Sequence, residues 1–361
     1  MIPIVKPYIP PAEILMPRIQ EVLYSGYIAE GETVKEFERA VGNYLHNPHV
    51  LSLNSGTAAL HLALMLADVG PGDEVISTAL TAEPTNVAIL QAGAKVVWAD
   101  VDIRTGVLSA ESVRDRITSK TKAIMLVHYA GIVGDMDAFG EISEEFNIPI
   151  IEDAAHAIGA KYRGKMVGGI SPYTIFSLQA IKHITTIDGG LLCVKSEGNE
   201  HRGRLKRWFG LDKTKPRLEN DVTELGYKYH MNNVNATVGL VQFEMIENTV
   251  GAYIENGKYF DKHLAGVNGT ELIDYYEGSE PSYWLYTLKV ERRDDFVKHM
   301  SEQGIAASPL HLRNDRHSIF GGKADLPQLE EFYKKMVHFG CGWWIGQAER
   351  EKIVEAIKLG W

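Results

Sequence analysis

The chain has 361 residues, 45% of them apolar, which is enough for about two domains with sizeable cores. Its 47 acidic residues outnumber the 37 basic ones, and the net charge of −10 argues against nucleic acid or an anionic membrane as the main partner. Because there are only two cysteines, no signal-peptide pattern and no apolar stretch near the ~20 residues of a membrane span, we expect a cytoplasmic protein.

The first informative element is a strand that leads through a turn of small residues into a helix. Val50–Leu53 predicts the strand, and apolar residues with helical spacing predict the helix over Thr57–Asp68. Backbone N–H groups and a threonine hydroxyl at a helix start form a ready anion site. Gly56 and Thr57 are therefore candidate phosphate ligands, although any helix start can resemble this motif.

The next element is a strand, Ile148–Asp153, that ends in a carboxylate. Its β-branched residues are typical of a parallel strand buried on both faces. The carboxyl ends of such strands face the crevice in which open α/β sheets bind ligands. An acid at this position can keep the pyridinium nitrogen of a cofactor protonated, so Asp153 is a candidate ligand. The alternative is a helix N-cap.

A third strand, Tyr173–Ser177, is followed five residues later by Lys182, and a further strand is predicted over Gly190–Val194. A lysine between the ends of two buried strands is partly desolvated, which lowers its pKa and favours the neutral amine needed for a Schiff base. The alternative is an ordinary surface lysine. The order strand–turn–helix, strand–Asp and strand–Ser–Lys is more specific than any one of these motifs.

Strands and helices alternate through about residue 195, which predicts βαβ units and a mostly parallel sheet. A polar helical segment follows over Glu197–Asp212, then a polar loop over Lys213–Asp221 and a long helix over Asn233–Met245. Further on, a strand is predicted over Tyr283–Glu291. We place one domain at residues 1–240 and a second at 241–361. The other predicted strands are Glu74–Ser77, Lys95–Asp100 and Ala123–His128, and a further helix is Met136–Phe146.

With these motifs in this order, the chain resembles the DegT-like sugar aminotransferases, pyridoxal-phosphate enzymes of the fold type I (aspartate-aminotransferase) superfamily. The resemblance covers nearly the whole length. It implies an α/β fold with a large domain built on a mixed, mostly parallel seven-stranded sheet, and a smaller C-terminal α+β domain. The matching segments include Asn54–Leu60, Glu152–Ala157, Ser177 to Gly190, and Gly226–Asn232.

The resemblance also implies a role for each site residue. Lys182 would hold pyridoxal 5′-phosphate as an internal aldimine and shuttle the proton. Asp153 would pair with the pyridine nitrogen and His156 would lie near the ring hydroxyl. Gly56, Thr57 and Ser177 would hold the phosphate, and no metal site is predicted. Related dehydratases have histidine at the lysine position, so Lys182, with His183 merely its neighbour, indicates a transaminase.

Two positions depart from the family pattern. Where relatives usually have an aromatic residue that stacks on the cofactor ring, this chain has Ala82, so the stacking must come from elsewhere or be absent. Where many relatives have an asparagine that reaches the phosphate of the neighbouring subunit, it has Lys228. A lysine can bind phosphate there, or it can be a solvated surface charge.

The candidate substrate residues are Tyr27, Glu30, His311 and Arg313. The first two lie in a Gly-rich loop near the expected sugar position, and the other two lie in a segment dense in hydrogen-bond donors. Arginine suits the diphosphate of a nucleotide-linked sugar, but solvated charges are an equal alternative for any single residue. A second cationic cluster comprises Arg202, Arg204, Lys206 and Arg207.

The expected protein is a homodimeric transaminase that moves an amino group, with L-glutamate as the expected donor, onto the ketone of a nucleotide-linked sugar. The first candidate acceptor is a 4-keto-6-deoxyhexose. A 3-keto hexose, a keto sugar acid and a pyridoxal- or pyridoxamine-dependent sugar dehydratase remain alternatives. A catalytically silent regulatory protein is the alternative outside enzymes.

Overall fold

The computed structural model describes residues 1–361. Its strands, in chain order, are Val50–Leu53 (β1), Glu74–Thr78 (β2), Lys95–Ala99 (β3), Thr121–Val127 (β4), Ile150–Asp153 (β5), Lys161–Tyr162 (β6), Lys165–Met166 (β7), Tyr173–Ser177 (β8), Gly190–Val194 (β9), Thr270–Leu272 (β10), Ser279–Glu280 (β11), Tyr286–Val290 (β12), Ala307–Ser308 (β13) and Met336–Phe339 (β14).

The helices are Ala12–Tyr24 (α1), Glu32–Leu45 (α2), Gly56–Leu66 (α3), Glu83–Gln91 (α4), Ala110–Arg114 (α5), Met136–Phe146 (α6), Glu197–Lys206 (α7), Asn233–Phe243 (α8), Ile246–Leu264 (α9), Arg293–Glu302 (α10), Pro327–Lys335 (α11) and Gln347–Lys358 (α12). Several begin at a residue whose side chain accepts a first-turn N–H, as Asp135 does for α6 and Asn232 for α8. None of the helices combines the length and apolar character needed to cross a bilayer.

The main sheet has seven strands in the order β1-β9-β8-β5-β4-β2-β3. Its pairs are parallel except those made by β9, which runs antiparallel to both β1 and β8. The predicted mixed, mostly parallel seven-stranded sheet is therefore confirmed. Parallel strands place their carboxyl ends at one edge, so the residues that follow β4, β5 and β8 meet there.

Both faces of this sheet are covered. Alternate residues along a strand enter different cores: in β4, Ile124 belongs to one apolar cluster and Met125 to the other. Helices α3 and α4 cover the Met125 face, and α2 and α6 cover the Ile124 face. This two-sided burial explains why the strands read as nearly continuous apolar runs in the sequence.

The C-terminal part contains a four-stranded antiparallel sheet, β10-β12-β14-β13. Helix α8 packs against α1 and α2, whereas α9 packs against α12. The domain boundary placed at residue 240 falls inside α8, three residues before the helix ends, and it stays a prediction. A three-stranded sheet, β11-β6-β7, joins a strand of the C-terminal half to a hairpin of the first half.

Several predicted elements were too long, most of them by one or two residues. The strand expected over Tyr283–Glu291 begins only at Tyr286, because Tyr283 adopts a left-handed backbone (φ 50°) that no strand can contain. The helix expected over Glu197–Asp212 ends at Lys206, shortly before a left-handed Phe209. The helix expected to reach Met245 ends at Phe243.

Candidate active site

Lys182 lies just beyond the end of β8, and its amine is enclosed although the residue as a whole is only half-buried. Its Nζ lies 4.1 Å from the centroid of the Trp284 ring. Removal from water lowers the pKa of Lys182 to about 7, an effect that the nearby Asp153 carboxylate partly opposes. These surroundings agree with the partial desolvation expected for a lysine at the end of β8.

Asp153 ends β5 and is almost fully buried. The Thr85 hydroxyl donates to Oδ2 at 2.7 Å, and the N–H of Ala155 donates to Oδ1 at 3.1 Å. Burial raises the pKa of Asp153, while these two hydrogen bonds and Lys182 oppose that rise. A buried carboxylate with two neutral donors and no bonded cation is ready to accept a hydrogen bond from a cationic ring nitrogen.

The turn before α3 packs directly on the end of β8. A Cβ added at Gly56 would lie 3.0 Å from the Cβ of Ser177, so only glycine fits here without displacing its neighbour. Ser55 caps the helix, its side chain accepting from the N–H of Ala58 at 3.0 Å. The first turn of α3, which contains Thr57, and the hydroxyl of Ser177 are thus brought together, as an anion site requires.

His156 lies beneath the same region, stacked on Trp284 with ring centroids 3.8 Å apart and planes 15° apart. Its Nδ1 accepts the N–H of Ala130 at 3.3 Å. Burial, first of all, and then the Lys182 charge hold its pKa well below the usual value. His156 is therefore a neutral imidazole whose proton sits on Nε2, free to donate to a ring hydroxyl.

Together, Asp153, Lys182, Ser177 and Gly56 match the needs of pyridoxal phosphate. The buried acid Asp153 suits the pyridine nitrogen, and Lys182, whose amine is partly deprotonated near pH 7, suits the aldehyde. The start of α3 suits the phosphate. The family of the chain distinguishes pyridoxal phosphate from other phosphate-containing ligands. The model of the DegT/DnrJ/EryC1/StrS aminotransferase family matches residues 12–358.

The chain belongs to this family. It is an aminotransferase, and its cofactor is pyridoxal phosphate. The fold agrees: AtS13 from Actinomadura melliaura is 39% identical, with a TM-score of 0.97 over 100% of this chain and 99% of that one. The sugar aminotransferase CalS13 from Micromonospora echinospora is 36% identical, with a TM-score of 0.96 over 100% of each chain.

A more distant neighbour has been solved with the cofactor. The PLP form of Spr1654 from Streptococcus pneumoniae, a putative sugar aminotransferase, is 28% identical, with a TM-score of 0.90 over 99% of this chain and 98% of that one.

Of the predicted substrate residues, only His311 is brought to the cofactor residues. Its ring lies parallel to that of His156, with centroids 6.5 Å apart, and next to Tyr129 at 6.3 Å. Its Nε2 is buried without a hydrogen-bond partner, and burial lowers its pKa. A neutral imidazole with an unused ring nitrogen is a suitable ligand for a sugar hydroxyl.

Arg313, two residues further on, is turned away from the site. Its side chain is fully buried and donates to Asp315 at 3.0 and 2.8 Å and to Glu330 at 2.5 Å. Asn314 fixes this arrangement by donating to the carbonyl of Thr81 at 2.8 Å. Because Arg313 is fully buried and three of its N–H groups already donate to carboxylates, its side chain is not presented to a substrate, contrary to the expectation from its position.

The two N-terminal candidates, Glu30 and Tyr27, have different surroundings in the structure. Glu30 binds the guanidinium of Arg207 at 2.7 Å and the amine of Lys213, so its carboxylate is occupied. Tyr27 has a 77% exposed side chain that is free to contact another molecule. The cationic cluster is paired throughout with carboxylates, namely Asp68, Glu30, Glu38, Glu200 and Glu224.

The two departures from the family pattern lie at exposed or half-exposed positions. Ala82 is the N-cap of α4 and brings no ring to the site. Lys228 has an exposed side chain, and its carbonyl accepts from Asn54 at 3.1 Å, next to the turn that begins α3. The main chain of Lys228 is thus close to the turn that begins α3 in the same chain.

Sequence reasoning missed two residues of the site. Thr85 holds Asp153, and Trp284 contacts both Lys182 and His156. The only signal for Thr85 was its place shortly after β2, at the same sheet edge. Trp284 had none, since it lies 102 positions from Lys182 in a run that reads as an ordinary strand.

Proposed function

We propose that this aminotransferase transfers an amino group from L-glutamate to the ketone of a nucleotide-linked sugar, with a 4-keto-6-deoxyhexose as the first candidate acceptor. The observation that carries the proposal is the lowered pKa of Lys182 beside a buried Asp153 and a phosphate-binding turn. The sugar is supported by the family and by the name of CalS13, a sugar aminotransferase that is similar over its full length.

When bound, pyridoxal phosphate supplies an electron-withdrawing ring that stabilises negative charge on the amino-bearing carbon. Lys182 would be the residue linked to it. With a pKa of about 7, this amine can both accept and release a proton near neutral pH, as the proton transfer requires.

The other residues of the site would orient the cofactor toward that amine. Asp153 would accept a hydrogen bond from the ring nitrogen and keep it protonated. His156, with its proton on Nε2, would donate to the ring hydroxyl. Ser177, Thr57 and the backbone of Gly56 would bind the phosphate, which fixes one end of the cofactor while the chemistry occurs at the other.

His311 and Tyr27 are the remaining candidates for the sugar, His311 from beside the cofactor and Tyr27 from an exposed loop. We place Tyr27 and Lys228 against the site of a second subunit in a homodimer. Exposed apolar side chains in the segments that carry these two residues support such an interface: Tyr24 and Ile28 lie near Tyr27 in the chain, and Leu225 lies near Lys228. The two free, buried cysteines suit a reducing compartment, the cytoplasm.

The first test is chemical. Borohydride treatment of the loaded protein followed by peptide mass spectrometry should place the cofactor's mass on Lys182. The second test uses a panel of nucleotide-linked amino sugars that differ in nucleotide and in the aminated carbon. A 4-amino-6-deoxyhexose should convert the cofactor to its amino form, seen as loss of visible absorbance, and 2-oxoglutarate should restore it.

Each part of the proposal can fail separately. Labelling at another lysine would remove Lys182 from its role. Conversion by 3-amino sugars or amino sugar acids alone would replace the acceptor, and loss of water from the sugar in place of amine exchange would replace the reaction. Absence of any conversion, with the cofactor bound, would leave a binding protein.

A further inference from the structure

One indole ring, that of Trp284, touches two groups of the active site that come from different segments. It stacks on the imidazole of His156 at 3.8 Å, and the amine of Lys182 lies 4.1 Å from its centroid. The ring itself is almost fully buried, with 1% exposure. Because it is rigid and enclosed, the ring fixes the separation between the lysine amine and the imidazole.

The segment that carries this ring is also bonded to the main chain on both sides of the lysine. The Trp284 indole N–H donates to the carbonyl of Ile181 at 2.9 Å. The His183 Nε2–H donates to the carbonyl of Ser282 at 3.0 Å. The residues that flank Lys182 are therefore tied to the residues that flank Tyr283.

Tyr283, between those two attachment points, has a left-handed backbone with φ 50°. Such a conformation is unfavourable for an aromatic residue and persists only when its surroundings hold it. Here the Tyr283 hydroxyl donates to Asp261 of α9 at 2.7 Å, and the backbone lies so close to Gly131 that a Cβ there would come within 2.7 Å of its nitrogen.

We infer that Trp284 is a positioning residue, held by the strained Tyr283 and its bond to Asp261, that keeps the Lys182 amine and the His156 imidazole in one fixed orientation toward the cofactor. The inference rests on the proposed role of Lys182. It assigns a function to a contact between the C-terminal half of the chain and the lysine segment. It also provides the site with an aromatic side chain although position 82 has none.

The ring affects Lys182 in two opposite ways. It excludes water, which favours the neutral amine, and its face attracts the ammonium form. Leucine keeps a smaller apolar side chain beside the amine and removes the π face, and we expect the lost attraction for the ammonium form to dominate, so Trp284→Leu should lower the pKa of Lys182. Trp284→Phe keeps an aromatic face but loses the N–H bond to Ile181, so it should change that pKa less.

The experiment is run first on the protein without cofactor. The rate at which Lys182 is acetylated is measured by peptide mass spectrometry between pH 6 and 10, and the His156 ring signals are followed by NMR. We expect Trp284→Leu to shift the Lys182 titration to lower pH and to move the His156 signals. Trp343→Phe, at a tryptophan that contacts Lys6 and Tyr8, should do neither.

A second readout is the rate at which the cofactor is taken up, seen as the growth of visible absorbance. It should fall at least tenfold in Trp284→Leu and about threefold in Trp284→Phe, so the phenylalanine variant carries the test if the leucine variant does not fold. Wild-type titration and uptake in the folded variants would overturn the positioning role. If borohydride reduction fixed the cofactor to another lysine, the proposed function would fail. The titration of Lys182 in the cofactor-free protein would still test the positioning role.

The bond between Tyr283 and Asp261, which we call the anchor, can be tested against a matched control, Tyr286. Tyr283 and Tyr286 both donate to Asp261, at 2.7 and 2.9 Å, but only Tyr283 has the left-handed backbone next to Trp284. Tyr283→Phe should therefore change the Lys182 titration in the same direction as Trp284→Leu, and Tyr286→Phe should not. Equal effects of the two variants would overturn the anchor.

Discussion

Lys182 and Arg313 are both enclosed cations, and their surroundings are opposite. Arg313 is fully buried and shares its guanidinium between two carboxylates, Asp315 and Glu330. Lys182 makes no salt bridge; its amine lies against an indole ring, and the charge of Asp153 acts on it without a direct contact. The charge of Arg313 is compensated by its carboxylate partners, whereas burial shifts Lys182 toward its neutral form.

This difference separates structural charge from reactive charge. A cation that is fully paired stays charged at all physiological pH values and holds segments together. A cation that is desolvated without a close partner changes protonation near neutral pH, which is what proton transfer needs. The cationic cluster Arg202, Arg204, Lys206 and Arg207, in and directly after α7, belongs with Arg313, although its arginines suggested a diphosphate site from the sequence.

The largest effect is expected at the acid that faces Lys182. Asp153→Asn should slow amino transfer about a thousandfold, roughly 4 kcal/mol of barrier, because an amide cannot keep the ring nitrogen protonated. Single-turnover kinetics of the loaded protein would measure this. Asp137→Asn, the same change at an exposed carboxylate, is the control. A near-normal rate would mean that Asp153 serves only to cap the chain at Ala155.

The next effect concerns stability at the paired cation. Arg313→Met leaves Asp315 buried without its partner and should lower the free energy of unfolding by about 3 kcal/mol, with no change in the cofactor's spectrum. Urea denaturation would show the loss. Arg292→Met, at a pair whose side chains are 61% and 62% exposed, should cost less than ~1 kcal/mol. Equal losses would contradict the contrast between the two environments.

The sequence predicted one side of this contrast better than the other. Asp153, Ser177 and Lys182 follow apolar strands, and the edge at which those strands end is dictated by parallel pairing. Such residues can be found from local patterns. Arg313 could not be assigned, because its full burial and its bond to Glu330, 17 residues away on α11, come from tertiary packing.

The strain at Tyr283 and the position of Trp284 are equally invisible in the sequence. Both depend on contacts with Asp261 and Gly131, which lie far from them along the chain. The alternation of residues near 283 gave a strand, and the tertiary contacts overrode that local preference. The sequence does not reveal which distant segments come into contact, and the surroundings of Lys182 are built from such contacts.

A smaller effect follows from the pKa of Lys182 itself. In the unfolded chain its pKa returns to about 10.5, so between pH 7 and 10.5 the unfolded state binds more protons than the folded one, and stability rises with pH there. The charged amine thus destabilises the cofactor-free protein at pH 7 and below. Lys182→Met should increase its stability, on the order of 2 kcal/mol because the residue is only half-buried, and the gain should fade toward pH 10.5.

Urea denaturation of the cofactor-free protein at pH 7 and pH 10 would measure this gain. Lys298→Met, at an exposed position of α10, should change stability little and by the same amount at both values. A pH-independent gain at position 182 would show that apolar packing, and not desolvation of the amine, is responsible.

The smallest effect is expected at a third kind of cation, one that is exposed in the single chain. If Lys228 reaches the phosphate of a neighbouring subunit, Lys228→Ala should weaken cofactor binding about tenfold without unfolding the protein, because a single charge-assisted contact is lost. Lys215→Ala, at another exposed lysine of the preceding loop, is the control. Equilibrium dialysis of the cofactor and light scattering would give the affinity and the mass.

A mixing experiment then asks which subunit supplies the lysine. In a hybrid dimer of Lys182→Ala and Lys228→Ala chains, a contact made across the interface leaves one site with both lysines intact, and the other site lacks both. Mixing the two inactive or weakened variants should then restore up to half the activity per dimer. If Lys228 served its own subunit, each site would keep one defect and no hybrid would recover. A fully active monomer would exclude the interface contact altogether, because Lys228 would then have no neighbouring cofactor to bind.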